Sequence, residues 1–178
     1  MLSSAPVSRP EHELLLCCAR TSRTPEIAAQ IGTLLREGMD WEYLLRAANV
    51  HGVASLLYWH LDAACSEAVP ENVFGRLRDH FRSNGLHNLF LTGELLRLLN
   101  GFGAHGILAV PYKGPALAAS VYGNLALRRF VDLDIMVRRR DVPKGKEVLA
   151  SLGYRPEYRL TRARSGPHRI PMHIRLYV

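Results

Sequence analysis

The seven residues Val131-Asp132-Leu133-Asp134-Ile135-Met136-Val137 leave little freedom in what this chain can fold into. Their alternation has a period of two, so Val131, Leu133, Ile135 and Val137 fall on one face of an extended strand, and Asp132 and Asp134 fall on the other. A helix would scatter both sets. Such a strand lays its apolar face on a core and holds two carboxylates side by side on the opposite face. Ionised carboxylates at that spacing repel each other, and a shared proton or a bound cation relieves the repulsion. A solvent-facing edge strand that carries charge is the plain structural alternative.

Upstream stands Val110-Pro111-Tyr112-Lys113-Gly114-Pro115-Ala116-Leu117. Ile107 to Val110 is too short an apolar run for a helix and ends at a proline, which predicts a buried strand. Lys113-Gly114-Pro115 then reads as a turn. Pro115 opens a helix through Leu117, Ala118, Val121 and Tyr122, which Gly123-Asn124 stops. The order is strand, glycine turn, helix, aspartate strand. A turn of this kind aims backbone N–H groups and the positive end of a helix at a point where a phosphate can sit, and Lys113 adds a charge beside it. The same residues also serve as an ordinary strand-to-helix connection.

The chain before this stretch reads as helical scaffold. Residues 1–10 are rich in Ser and Pro and are expected to be disordered. A helix starts near Glu11, and Thr24-Pro25-Glu26 gives the cap, first-turn proline and first-turn acid of a second helix through Ile27, Ile31 and Leu34. Asp40 caps a third with Trp41, Leu44, Leu45 and Ala48, and Val53 to Leu61 supplies a fourth apolar face. Pro70-Glu71-Asn72 opens a fifth, which Gly85 is expected to interrupt. Leu86 to Leu99, with Leu89, Phe90, Leu95, Leu96 and Leu99, predicts a central buried helix. After the aspartate strand, Asp141 is expected to cap a helix through Val142, Val148 and Leu149. Tyr154 to Leu160 and Ile170 to Tyr177 are candidate strands. The fold class is therefore α+β: a helical region over 11–104, then a small mixed β-sheet with flanking helices over 105–178.

Charge divides the chain in the same way. Residues 1–112 hold 9 Lys and Arg against 11 Asp and Glu, and residues 113–178 hold 14 against 5, so the halves carry −2 and +9. A positive field around a carboxylate pair suits a polyanion such as a nucleoside triphosphate or a nucleic acid. No apolar run reaches the roughly 18 residues of a membrane span, and the early run Leu14 to Cys18 lacks the length and lead of a secretory signal. A cytoplasmic protein is the expectation. Cys17, Cys18 and Cys65 have no metal-type spacing and read as free thiols in or near the core.

Taken together, these motifs resemble the nucleotidyltransferase superfamily that contains DNA polymerase beta. More narrowly they are similar to a bacterial family of uncharacterised nucleotidyltransferases marked by Lys-Gly-x-Ala-Leu, then Tyr-Gly, an Arg and an Asp-Leu-Asp strand. Here these are Lys113-Gly114-Pro115-Ala116-Leu117, Tyr122-Gly123, Arg128 and Asp132-Leu133-Asp134, and Trp41, Ala48, His51 and Gly52 resemble the family's N-terminal half. The resemblance implies transfer of NMP from an NTP to an acceptor that the sequence does not identify. Asp132 and Asp134 would hold Mg²⁺, Gly114 would let the backbone approach the phosphates, and Lys113 and Arg128, ranked above Arg129, would neutralise their charge.

The superfamily also uses a third carboxylate on a later strand. Its counterpart here falls in Ile170-Pro171-Met172-His173-Ile174-Arg175-Leu176, where Pro171 takes the acid's place. Glu157 is the only acid after Glu147. The resemblance therefore implies a shortened member of the family, and two alternatives stand beside the enzyme: a catalytically weakened module that binds nucleotide and metal, or a basic nucleic-acid-binding protein.

Overall fold

The computed structural model describes residues 9–155 and the strand 171–175. The expected disorder of the N-terminus, the first candidate strand beyond Arg155, and Glu157 lie outside the described residues, apart from Arg9 and Pro10. Four helices build the first half: α1 (Pro10–Cys18), α2 (Pro25–Arg36), α3 (Trp41–Val50) and α4 (Ala54–Ala64). Their cores meet through Leu14, Ile31, Leu44, Leu57 and Leu61, joined by Leu77 of α5 (Glu71–Ala104). The caps read from sequence at Thr24 and Asp40 are present. Thr24 Oγ1 accepts from the Ile27 N–H, and Asp40 Oδ1 accepts from the Tyr43 N–H at 3.0 Å. Glu11, buried in α1, accepts from the Asp40 N–H at 2.8 Å and so fastens α1 to the start of α3. Cys17 and Cys18 are buried free thiols, and burial pushes both up from the usual thiol range.

Two expectations about α5 fail. Gly85 does not interrupt it, and the helix runs unbroken from Glu71 to Ala104. The glycine serves packing instead: a Cβ there would sit 3.4 Å from the Ala126 methyl. Nor are all its apolar residues buried. Leu91, Leu95, Leu98 and Phe102 face the core, whereas Leu86, Leu89, Phe90 and Leu96 are exposed. Apolar residues on both sides of a helix leave the buried side undetermined until tertiary partners choose one.

The second half supplies β1 (Ala109–Pro111), a helical turn α6 (Pro115–Leu117) that continues as a π-helical segment Ala118–Tyr122, β2 (Asp132–Val137), α7 (Val142–Ser151) and β3 (Pro171–Arg175). The class is α+β, as expected. The described strands, however, pair only antiparallel, in the order β1-β2-β3, and not as a mixed sheet. Just after β1, Gly114, at φ +57°, turns the chain where it still lies against β2. β1 is also an edge strand, not a buried one, with Leu108 and Val110 exposed. Pro111 suits that edge, since it has no N–H to give a ladder. Asp141 precedes α7 but makes no capping bond, because its backbone is already helical in a 3₁₀ turn.

By compactness the chain forms two units, one of residues 1–87 with 122–129 and the other of 88–121 with 130–178. In the second unit α5 is tied to the end of α7. Arg97 donates to the Leu152 carbonyl at 3.2 Å and to the Tyr154 hydroxyl at 2.9 Å, and that hydroxyl donates to Glu94.

Candidate functional site

The aspartate strand folds as its period requires. Leu133, Ile135 and Val137 are at most 2% exposed, and Asp132 and Asp134 take the alternate positions on the other face. Val131 lies before the strand begins and is 53% exposed. Because β2 is the central strand, the charged edge-strand alternative does not describe it. Asp134 is itself buried at 7% exposure, and Asp132 is half-buried.

The glycine turn lies against this strand. Ladder pairs Ala109 with Val137 and Pro111 with Ile135, and the next step is made by the Tyr112 N–H, which donates to the Asp134 carbonyl at 2.9 Å. Two residues on, a Cβ at Gly114 would come within 3.3 Å of the Asp132 carbonyl oxygen and 3.8 Å of Phe130. Glycine is required twice over here, by the positive φ and by the close approach. Lys113 is exposed between these two residues, its ammonium 5.3 Å from the Tyr112 ring centre. Thus Lys113, Gly114, Asp132 and Asp134, which the sequence linked only by order, belong to one local structure. Tyr112 is an addition: it takes the position opposite Asp134, and directly opposed residues share a face of the sheet. Its place beside Pro111, one residue past the apolar run, was the available signal.

On the other side of β2, the β3 register sets Arg175 opposite Asp132, His173 opposite Asp134 and Pro171 opposite Met136. The strand contains no acidic residue. Among the described residues no cluster of three or more His, Cys, Asp or Glu has metal-binding geometry. Among the described residues the candidate donor set is thus the carboxylate pair Asp132 and Asp134. That set fits Mg²⁺, which commonly takes one or two protein carboxylates together with substrate phosphate oxygens and water.

Arg128 belongs to the segment 122–129, which packs with the helical unit, and it lines a cavity there with Arg129, His51 and Tyr122. Residues far apart in the chain meet at that cavity, a convergence that spacing alone does not reveal.

An aspartate pair on a central strand, with a Lys-Gly turn packed along it, gives an α+β protein the makings of a phosphate-handling site. Residues 37–177 match the family described as uncharacterised nucleotidyltransferase, and the chain belongs to that family. No curated protein and no solved structure matches it.

Proposed function

We propose that the protein transfers a nucleotidyl group from an NTP to an acceptor hydroxyl, with Mg²⁺ as the cofactor. The observation that carries this reading is the packing of the Lys113-Gly114 turn along the Asp132-Asp134 strand. Asp132 and Asp134 would hold the metal, which when bound supplies charge neutralisation on the triphosphate and activates an oxygen nucleophile. The chain's own part is to position the substrate. Gly114, whose positive φ a side chain would resist, would let the backbone of the turn approach phosphate oxygens. Lys113 and Arg128 contribute positive charge against the triphosphate, and the excess of basic residues after 112 steers it inward. The test is pyrophosphate release from each of the four NTPs over a panel of hydroxyl-bearing acceptors. Release that needs Mg²⁺ and disappears in Asp132→Asn is the expected result; no release with any pair contradicts transfer.

A second reading is favoured by one observation. β3 offers no carboxylate beside the aspartate pair, and the residues opposite the two aspartates are Arg175 and His173. A protein with no further carboxylate beside the pair among its described residues would bind Mg²⁺ and nucleotide without a group there to complete a second metal site or serve as base. Metal-dependent nucleotide binding without pyrophosphate release would identify this module.

A further inference from the structure

Two stretches that the metal reading leaves mostly unused meet within the helical unit. His51, Gly52 and Val53 make the turn between α3 and α4, and the segment from Tyr122 to Arg129 packs against that turn. Between them lies a cavity of about 270 Å³. Val53, Leu56 and Leu127, the last two buried, give it an apolar part. His51, Tyr122, Arg128 and Arg129 also line it, and among the described residues no Asp or Glu does.

The backbone that builds this cavity is held in place. Gly52, at φ +68°, turns the chain, and the Val53 N–H donates back to the Ala48 carbonyl at 2.9 Å. On the facing side, Asn124 accepts from the Ala126 N–H at 2.9 Å, and buried Asn84 donates to the Ala126 carbonyl at 2.7 Å. Arg128 and Arg129 therefore leave a segment anchored two and three residues earlier. Arg129 also acts on its surroundings: burial first, and then its charge, holds the His80 imidazole below the usual range.

We infer that this cavity binds a small organic anion, a carboxylate or phosphate carried on a planar or apolar body. The oxyanion meets the Arg128 or Arg129 side chain, since a guanidinium suits either group by bidentate hydrogen bonding. The body rests on Val53, Leu56 and Leu127 beside the Tyr122 ring. The volume lies just below the roughly 300–1,000 Å³ of pockets that enclose drug-sized ligands, so the ligand is small. Apart from Arg128, this site draws on none of the residues of nucleotidyl transfer, and it requires neither Mg²⁺ nor the aspartate pair.

The test is an NMR titration of the whole chain in EDTA with phenyl phosphate, benzoate, inorganic phosphate and benzyl alcohol. Either organic anion is expected to shift the amides of Gly52, Val53, Arg128 and Arg129 saturably, and the tighter of the two shows which oxyanion the site takes. Inorganic phosphate and benzyl alcohol, each lacking one half of the ligand, should bind about tenfold more weakly or worse. Arg129→Gln should weaken the organic anion about tenfold, with Arg129→Lys between it and the wild type. Asp132→Asn should leave the binding unchanged. The inference is overturned if both organic anions leave those amides unmoved, if inorganic phosphate binds as tightly as they do, or if binding needs Mg²⁺ and is lost in Asp132→Asn.

Discussion

At the scale of single residues, Gly114 and the two aspartates differ in what a substitution would disturb. Gly114 holds φ +57° and ψ −127°, a backbone region closed to side chains, with the Asp132 carbonyl 3.3 Å from where a Cβ would stand. Gly114→Ala should cost about 1–3 kcal/mol of stability in urea denaturation and weaken Mg-nucleotide binding as well, because strain and close approach act at the same point. An alanine variant as stable as the wild type would show that the turn relaxes freely. Tyr154 makes a pH prediction. Burial, and then its bond to Glu94, push its hydroxyl up from 10.0 to about 12. Above the lower value the unfolded chain gives up this proton while the folded chain keeps it. Stability should therefore be full below about pH 10 and fall as pH rises toward about 12. Urea midpoints across that window should decline for the wild type and decline less for Tyr154→Phe. The face shared by Asp132 and Asp134 was legible in the sequence because a period of two is a local property. The neighbours of Arg128 were not, since His51 reaches it only through the tertiary fold.

At the scale of elements, helix starts were readable wherever a side chain closes its own turn, as Thr24 and Asp40 do. They misled at Asp141, where a preceding 3₁₀ turn had already satisfied the local geometry. Glycine in α5 misled for a related reason: a sequence does not distinguish a glycine that ends a helix from one that admits a neighbour. Gly85 faces the Ala126 methyl position at 3.4 Å in a continuous helix. Gly85→Ala should thus be tolerated, and should gain up to about 1 kcal/mol from the smaller backbone entropy loss. Gly85→Leu should cost about 1–3 kcal/mol by overpacking the same contact. Thermal or urea unfolding of the pair checks this, and an alanine variant less stable than the wild type would mean that the contact at Ala126 is already too tight for a methyl. The sheet's strands were found by pattern, but their antiparallel pairing is set by which strands meet and in which direction, which no alternation of residues encodes.

At the scale of the whole molecule, the order of helical and strand patterns foretold an α+β chain and the charge count its acidic and basic halves, and among the described residues no helix is long and apolar enough to cross a membrane. The +9 balance after residue 112 serves a triphosphate in this account, not a polynucleotide. Binding of a fluorescent single-stranded oligonucleotide should accordingly be weak and vanish by about physiological salt, where surface charges more than about 8 Å apart are screened. Tight binding that persists in Asp132→Asn would favour the nucleic-acid alternative. The central claim is that Asp132 and Asp134 are a metal-dependent nucleotide site, and isothermal titration with ATP, CTP, GTP and UTP tests it most directly. At least one nucleotide should bind with Mg²⁺, and its heat should disappear in EDTA and in the folded Asp132→Asn and Asp134→Asn variants. Binding that is the same in Asp134→Asn as in the wild type, or no binding of any of the four, would contradict it.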